Sequence, residues 1–355
     1  MHTWTNGSNC SFNCSWDDDN ATFWSGEHPI NNFPVPILTA ISIICSFLFL
    51  VGVSGNLMTI LMVAKYKDMR TTTNLYLSSM ALSDLLIFFC MPLDLYRVWR
   101  YRPWYFGDLL CKLFQFISEG CTYSTILNIT ALSVERYFAI CFPLRAKVVV
   151  TKGRVRGVIL ILWAVSFLSA GPVFVLVGVE HENGTNIWIT SECTTTKHAM
   201  QSGLFTIMVW VSSIFFFLPV FCLTILYSLI GRTLWRRPNI SSRDKSNKQT
   251  VKMLVVVVLA FVLCWLPFHV VRYLISKSFE TGSPLMAVIT QYCNLISVVL
   301  FYLSAAINPI LYNIMSKKYR VAACTLFGLK KTPRRTASSV KDESSPGFTE
   351  SSASV

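Results

Sequence analysis

The chain has 355 residues, of which 53% are hydrophobic and only 14% charged. An ordinary soluble domain carries about 25% charged residues, so soluble domains and a disordered chain are both excluded; this composition belongs in lipid. The net charge of +13 could suggest a nucleic-acid partner, but its placement along the chain marks membrane topology instead.

Residues 1–35 form a polar tail with four N-x-S/T sequons, at Asn6, Asn9, Asn13 and Asn20. The tail lacks a basic start followed by an apolar core, so no cleavable signal peptide is expected and the first span should act as the signal anchor. A helix needs about 20 mostly apolar residues to cross a bilayer. Seven runs meet that need: Ile37–Ala64, Thr71–Leu93 with Asp84 inside it, Leu113–Val134 with Glu119 inside it, Gly157–Val179, His198–Gly231, Met253–Val271 and Thr281–Ser316. They are too long, and alternate too little, for barrel strands. Residues 36–315 are therefore expected to form an all-α seven-transmembrane helix bundle. Residues 316–328 should form a short amphipathic juxtamembrane helix, and residues 329–355 a disordered tail.

Four segments on one side (Lys65–Arg70, Arg136–Arg156, Arg232–Lys252 and Lys317–Val355) hold 24 of the 31 Lys and Arg residues. That side is cytoplasmic by the positive-inside rule. An odd number of spans then places the N-terminus outside. The fifth candidate sequon, Asn183, falls outside as well, whereas Asn128 lies in a span and Asn239 on the inner side, so these two read as chance matches.

Of the 12 cysteines, Cys45, Cys90, Cys121, Cys141, Cys222, Cys264 and Cys293 lie in spans and read as small packing residues. Cys111 and Cys193 fall at outer ends or loops, where disulfides persist. A bridge between them would pin the loop Gly178–Lys197 to the third span. Cys10 and Cys14 form a second bridge or stay free. No spaced His/Cys set suggests zinc. Cys324, on the amphipathic segment, is a candidate for palmitoylation.

Ionisable groups at membrane depth are costly and therefore functional candidates. Asp84 is deepest in the second span; Asp94 and Arg97 stand one turn apart near its outer end. Glu135 and Arg136 mark the inner end of the third span. Glu119 lies eight residues past Cys111, roughly 12 Å deeper along a helix. His269 and Arg272 occupy the outer half of the sixth. Glu119 and Arg272 can neutralise one another if their helices face, and an Arg–carboxylate pair also sets geometry. The functional reading is a polar divider across an outward-facing cavity; the bland one is a purely structural buried pair. Gln115, Ser118, Phe268, His269, Asn294 and Phe301 complete an apolar cavity with a few polar groups, as ligand sites have. His269 alone reads more readily as a hydrogen-bonded core histidine. In the sixth span Pro267 follows Trp265-Leu266 and should kink the helix below the cavity. Pro219 and Pro309 interrupt the fifth and seventh spans in the same way.

Other membrane classes fit less well. An opsin needs a seventh-span lysine, where Tyr302 stands. An amine receptor needs an acid where Ser118 stands. A transporter would show repeat halves, and a hydrolase paired carboxylates or a metal cluster at one depth. No catalytic residue, cofactor or metal site is expected.

Taken together these residues resemble the rhodopsin-like family of G-protein-coupled receptors. The resemblance covers residues 36–327. It rests on Asn56 in GNLMTILMV, Asp84 in ALSDLL, Glu135-Arg136-Tyr137, Trp163, Pro219 with Tyr227, Cys264-Trp265-Leu266-Pro267 and Asn308-Pro309-Ile310-Leu311-Tyr312, one set per span in the family's order. It implies the Cys111–Cys193 disulfide and an activation switch of Asp84, Ile126, Arg136, Pro219, Tyr227, Phe261, Trp265, Pro267, Asn308, Pro309 and Tyr312. It also implies an ion site near Asp84, Thr125 and Asn308, although Ser304 stands where many members carry Asn, which argues against sodium.

Stretches such as YRPWYFGDLLCKLFQF and GPVFVLVGVEHENGT resemble the family's peptide-hormone branch. They imply an acylated peptide hormone as ligand, with another peptide hormone as the alternative. The implied ligand-binding set is Asp94, Arg97, Gln115, Ser118, Glu119, Phe268, His269, Arg272, Asn294 and Phe301. Val298 departs from the aromatic expected there. The implied partners are a heterotrimeric G protein, mainly of the Gq class and acting through phospholipase C and calcium release, and membrane lipid. Arrestin and receptor kinases would act at tail sites such as Thr336, Ser338, Ser339, Ser344 and Ser345. The basic loops Arg145–Arg156 and Arg232–Lys252 would line the G-protein mouth or serve topology and headgroup contact. The implied location is the plasma membrane, multi-pass, with the N-terminus extracellular.

Overall fold

The computed structural model describes residues 33–181, 187–236, 242–281, 284–315 and 317–326. The tail sequons, Asn183, Asn239, Cys10, Cys14 and the tail phosphorylation sites lie outside the described residues. The apolar runs become long helices: α1 (Val35–Lys65), α2 (Thr72–Trp99), α3 (Gly107–Cys141), α5 (Lys152–Ala170), α9 (Leu204–Arg236), α10 (Ser242–Thr281) and α11 (Pro284–Met315). Shorter helices α4 (Pro143–Val149), α6 (Val173–Leu176), α7 (Ile187–Thr190) and α8 (Lys197–Gln201) lie between them, and α12 (Lys317–Leu326) follows the seventh long helix. A 3₁₀ turn at Lys67–Met69 joins α1 to α2. Thr71 and Thr151 cap α2 and α5, accepting the backbone N–H of Asn74 (3.2 Å) and Arg154 (3.4 Å). Such caps satisfy amides that have no partner inside the helix.

Among the described residues, six of the seven long helices are apolar enough to cross a membrane by composition alone. The exception is α3. It packs against α2, α5, α9 and α10 and against the outer hairpin, and it buries Thr122, Ser124, Thr125, Asn128, Ser133 and Glu135. A helix surrounded by protein has no need of a lipid-compatible face, so its polarity follows from its central place. The peripheral helices show the opposite pattern, with Leu50, Phe89, Leu160, Leu168 and Phe221 all turned outward. Close approach in the bundle depends on small residues. A Cβ at Gly52 would meet the Phe88 ring at 2.1 Å, and one at Gly55 would meet Pro309 at 2.7 Å.

The fourth and fifth runs depart from expectation at their outer ends. The fourth helix stops at Ala170, before Gly171-Pro172, and Val177–Glu180 forms strand β1 instead of helix. It pairs antiparallel with β2 (Glu192–Thr195), Val179 opposite Cys193. β-branched Val177 and Val179 suit a strand, so an all-α description holds for the membrane part but not for this outer loop. The run from His198 is split into α8 and α9 at Gly203, whose φ of +76° ends one helix before the next begins. Elsewhere the helices outrun the apolar segments: α3 begins at Gly107 and ends at Cys141, and α10 begins at Ser242. Hydropathy marks the part in lipid, while the helix continues into water where charged ends are favourable.

Candidate ligand site

Glu119 on α3 and Arg272 on α10 meet, with Arg272 Nη1 2.7 Å from Glu119 Oε1. The same nitrogen donates to Ser212 Oγ on α9 at 3.0 Å, and Tyr123 O–H donates to Glu119 Oε1 at 2.6 Å. Three helices thus share one charge pair. The Glu119 and Arg272 side chains are 11% and 19% exposed, so the pair is largely desolvated but not sealed. Charges taken out of water are tolerable when paired and hydrogen-bonded in this way. The guanidinium also lies 5.2 Å from the Phe268 ring centroid, a cation–π contact.

Below the pair lies an aromatic group. Phe268 and Phe301 each meet Trp265 edge-on, at 5.5 and 5.1 Å, and Phe261 stacks on Trp265 at 5.6 Å. His269 is buried and stacks on Phe216 at 4.4 Å, and its Nδ1 has no hydrogen-bond partner among the described residues. The expected hydrogen-bonded core histidine is, at that nitrogen, a stacked one with an unused polar atom. Val298 packs on the α1–α2–α11 cluster, which Phe301 also touches, whereas Phe268 packs on the larger cluster around Trp265. Trp265, rather than residue 298, joins the two phenylalanines.

A second polar group sits between α2 and α11. Asp94 Oδ2 accepts the Tyr302 hydroxyl at 2.5 Å, and Arg97 Nη1 stands 3.7 Å from Asp94 Oδ1. Arg97 lies over the Phe114 ring at 5.6 Å. Gln115 and Ser118 are partly buried on α3. Asn294 is exposed, four and seven residues before Val298 and Phe301, hence on their helical face.

The outer hairpin is tied down over these groups. Cys111 and Cys193 form a disulfide. Trp104 N–H donates to Ser191 O at 2.8 Å, and Arg102 pairs with Glu192 at 3.0 Å. Asp108, outside the membrane, pairs with Lys112 at 2.6 Å and accepts the Val179 N–H at 3.0 Å. The Lys112 hydrogen bond above all, helped by that of Val179, holds its carboxyl below the usual range although burial pushes it the other way.

At the inner half, Asn308 donates to Asp84 at 3.1 Å, and Asn56 donates to the carbonyls of Gly52 and Ala305, both at 3.0 Å. Trp163 donates to Ser79 at 2.9 Å. Tyr227 O–H and Ser133 Oγ are 2.7 Å apart. Arg136 pairs with its neighbour Glu135, which also accepts Thr72 O–H at 2.6 Å. Ile126, Phe261 and Pro219 are buried, and Pro267 and Pro309 lie inside α10 and α11. Thr125 Oγ1 is buried without a hydrogen-bond partner among the described residues. Tyr312 lies on α11, with its side chain outside the described residues.

Sequence reasoning missed Tyr123, Ser212, Phe216 and Tyr302. Tyr123 stands four residues after Glu119 on one face and could have been found by spacing. Ser212, in a long uncharged run, gave no signal. Tyr302 was read only as an absent lysine.

A family model described as 7 transmembrane receptor (rhodopsin family) matches residues 55–312. The chain is 67% identical to the human (Homo sapiens) growth hormone secretagogue receptor type 1 over 343 residues, covering 95% of this chain and 94% of the human protein. It is 66% identical to the Mus musculus protein of the same name over 349 residues, 97% and 96% of the two chains. The human motilin receptor is 45% identical, covering 93% of each. The chain is a receptor of the plasma membrane, multi-pass, and not an enzyme. With matching helices, disulfide and motifs, it belongs to the rhodopsin family of seven-transmembrane, G-protein-coupled receptors.

Proposed function

We propose that this chain is the receptor for acylated ghrelin and signals mainly through Gq-class G proteins to phospholipase C and calcium release. The observation that carries the reading is the largely desolvated Glu119–Arg272 pair, shared by three helices. It divides the site. Asp94, Arg97, Gln115, Ser118 and Asn294 orient the hormone's polar end. Phe268, His269 and Phe301 receive the acyl chain, whose burial contributes several kcal/mol at about 0.8 per CH₂. The similarity to growth hormone secretagogue receptors supports this choice over a motilin-type hormone.

Agonist contacts bias an inactive–active equilibrium only through their differential affinity for the two states. The moving element is α10, hinged at Pro267, two residues outward of Trp265. At the inner end Arg136 leaves Glu135 and faces the G protein. A cavity of about 500 Å³ at the ends of α9 and α10, lined by Gly231, Leu234, Trp235, Lys248, Val251 and Lys252, offers that partner an apolar and basic surface. Residues 1–35 serve as a glycosylated outer tail, and residues 329–355 as the tail on which receptor kinases and arrestin act.

Calcium dose–response in cells expressing the chain tests the reading. Octanoylated ghrelin should act at concentrations orders of magnitude below those of the unacylated peptide and of motilin. Equal potency of the two ghrelin forms, or a preference for motilin, overturns it.

A further inference from the structure

Resting on the reading above, we infer that Tyr302 is a positioning residue for the hormone's polar end, acting through Asp94. The two carboxylates of the outer half are held in different ways. Glu119 is neutralised at 2.7 Å by Arg272 and also accepts Tyr123. Among the described residues Asp94 has no such close cation: its partner Arg97 stands 3.7 Å away and lies over the Phe114 ring. What fixes Asp94 is the Tyr302 hydroxyl, at 2.5 Å from Oδ2. A hydroxyl donating to a carboxylate at this distance is a charge-assisted bond, stronger and more directional than a neutral one.

The donor is itself immobile. Tyr302 is fully buried, with Phe88 and Phe301 around its ring at 6.1 and 5.0 Å. With Oδ2 held by α11, Asp94 presents Oδ1 to the site, where a hydrogen-bond donor of the hormone (an N–H, a hydroxyl or an ammonium) can compete with the distant Arg97. The same bond links the polar end of the site on α2 to Phe301, the neighbour of Tyr302, and so to Trp265. Nothing in the sequence marks this link, because Asp94 and Tyr302 are 208 residues apart.

The test is a double-mutant cycle on the full-length receptor at matched surface expression, read by binding of octanoylated ghrelin. Tyr302→Phe keeps the ring and its packing and removes only the donor. Tyr302→Phe and Asp94→Asn should each weaken binding about tenfold, and the double variant no further. The potency ratio of octanoylated to butanoylated peptide should stay unchanged in Tyr302→Phe, since the acyl end is untouched; a general loosening of the site would change it. A double variant weakened about a hundredfold, a changed acyl ratio, or a silent Tyr302→Phe beside a damaging Asp94→Asn would overturn the inference and leave the ghrelin assignment standing. A silent Asp94→Asn would overturn it too, and would remove Asp94 from the ligand set.

Discussion

The two glutamates of α3, Glu119 in its outer half and Glu135 near its inner end, are both paired, the first partly buried and the second buried, but with partners of different kinds. Glu119 takes an arginine 153 residues away on α10, and that arginine reaches on to α9. Glu135 takes the adjacent Arg136 and a threonine on α2. The outer pair ties distant helices together through side chains from three of them. The inner pair is a local latch: Arg136 can leave Glu135 by a change of rotamer. A ligand acting on the outer clamp therefore works against helix positions, and a partner at the inner latch needs only a released side chain.

Substitutions at the two ends should separate the clamp from the latch. The largest effect is expected from Glu119→Arg, which sets two cations face to face in a desolvated place. Agonist-evoked calcium release should vanish at normal surface expression, and an unchanged response would remove this residue from the site. At the inner end, Thr72→Val deletes one hydrogen bond to Glu135 without touching the ligand site. Agonist-free inositol phosphate accumulation should rise several-fold with hormone affinity little changed; a fall in affinity equal to that of an outer-site variant would erase the distinction. Tyr123→Phe removes one hydroxyl donor from the Glu119 carboxylate, worth about 1.5 kcal/mol for a bond to a charged group, and a shift in half-maximal hormone concentration of about tenfold checks it.

The smallest effect concerns the roof. Because the folded Asp108 carboxyl titrates below its ordinary value, its pairing with Lys112 and the Val179 N–H stabilises the fold above that ordinary value and is lost as pH falls through the lowered one. Its side chain is half exposed, so screening keeps the contribution small. Thermal unfolding of purified receptor should show a slightly smaller decline on acidification in Asp108→Asn than in the parent chain.

Charge and hydropathy made most of the bundle legible. The seven runs, their orientation and the juxtamembrane helix follow from solvation alone, and a costly group such as Glu119 announces its partner because few cations lie at that depth. The breaks at Ala170 and Gly203 were harder to read, since a continuous apolar run does not record where it leaves the lipid. The hairpin was hidden for the same reason, Val177 and Val179 reading as the end of a helix. Ser212 and Tyr302 escaped notice because a hydroxyl in an apolar helix is cheap when satisfied locally and gives no sign of a distant partner. Val298 shows the converse: its departure was visible, but only the packing shows that Phe268 and Phe301 meet through Trp265.

The central claim is that the Glu119–Arg272 pair sorts the two ends of an acylated peptide. A structure of the receptor with octanoylated ghrelin bound tests it most directly. The account predicts an intact pair, with the peptide backbone on the side of Asp94 and the acyl chain on the side of Phe268. An acyl chain lying beside Asp94, or a hormone seated without contact to either charged residue, would contradict it.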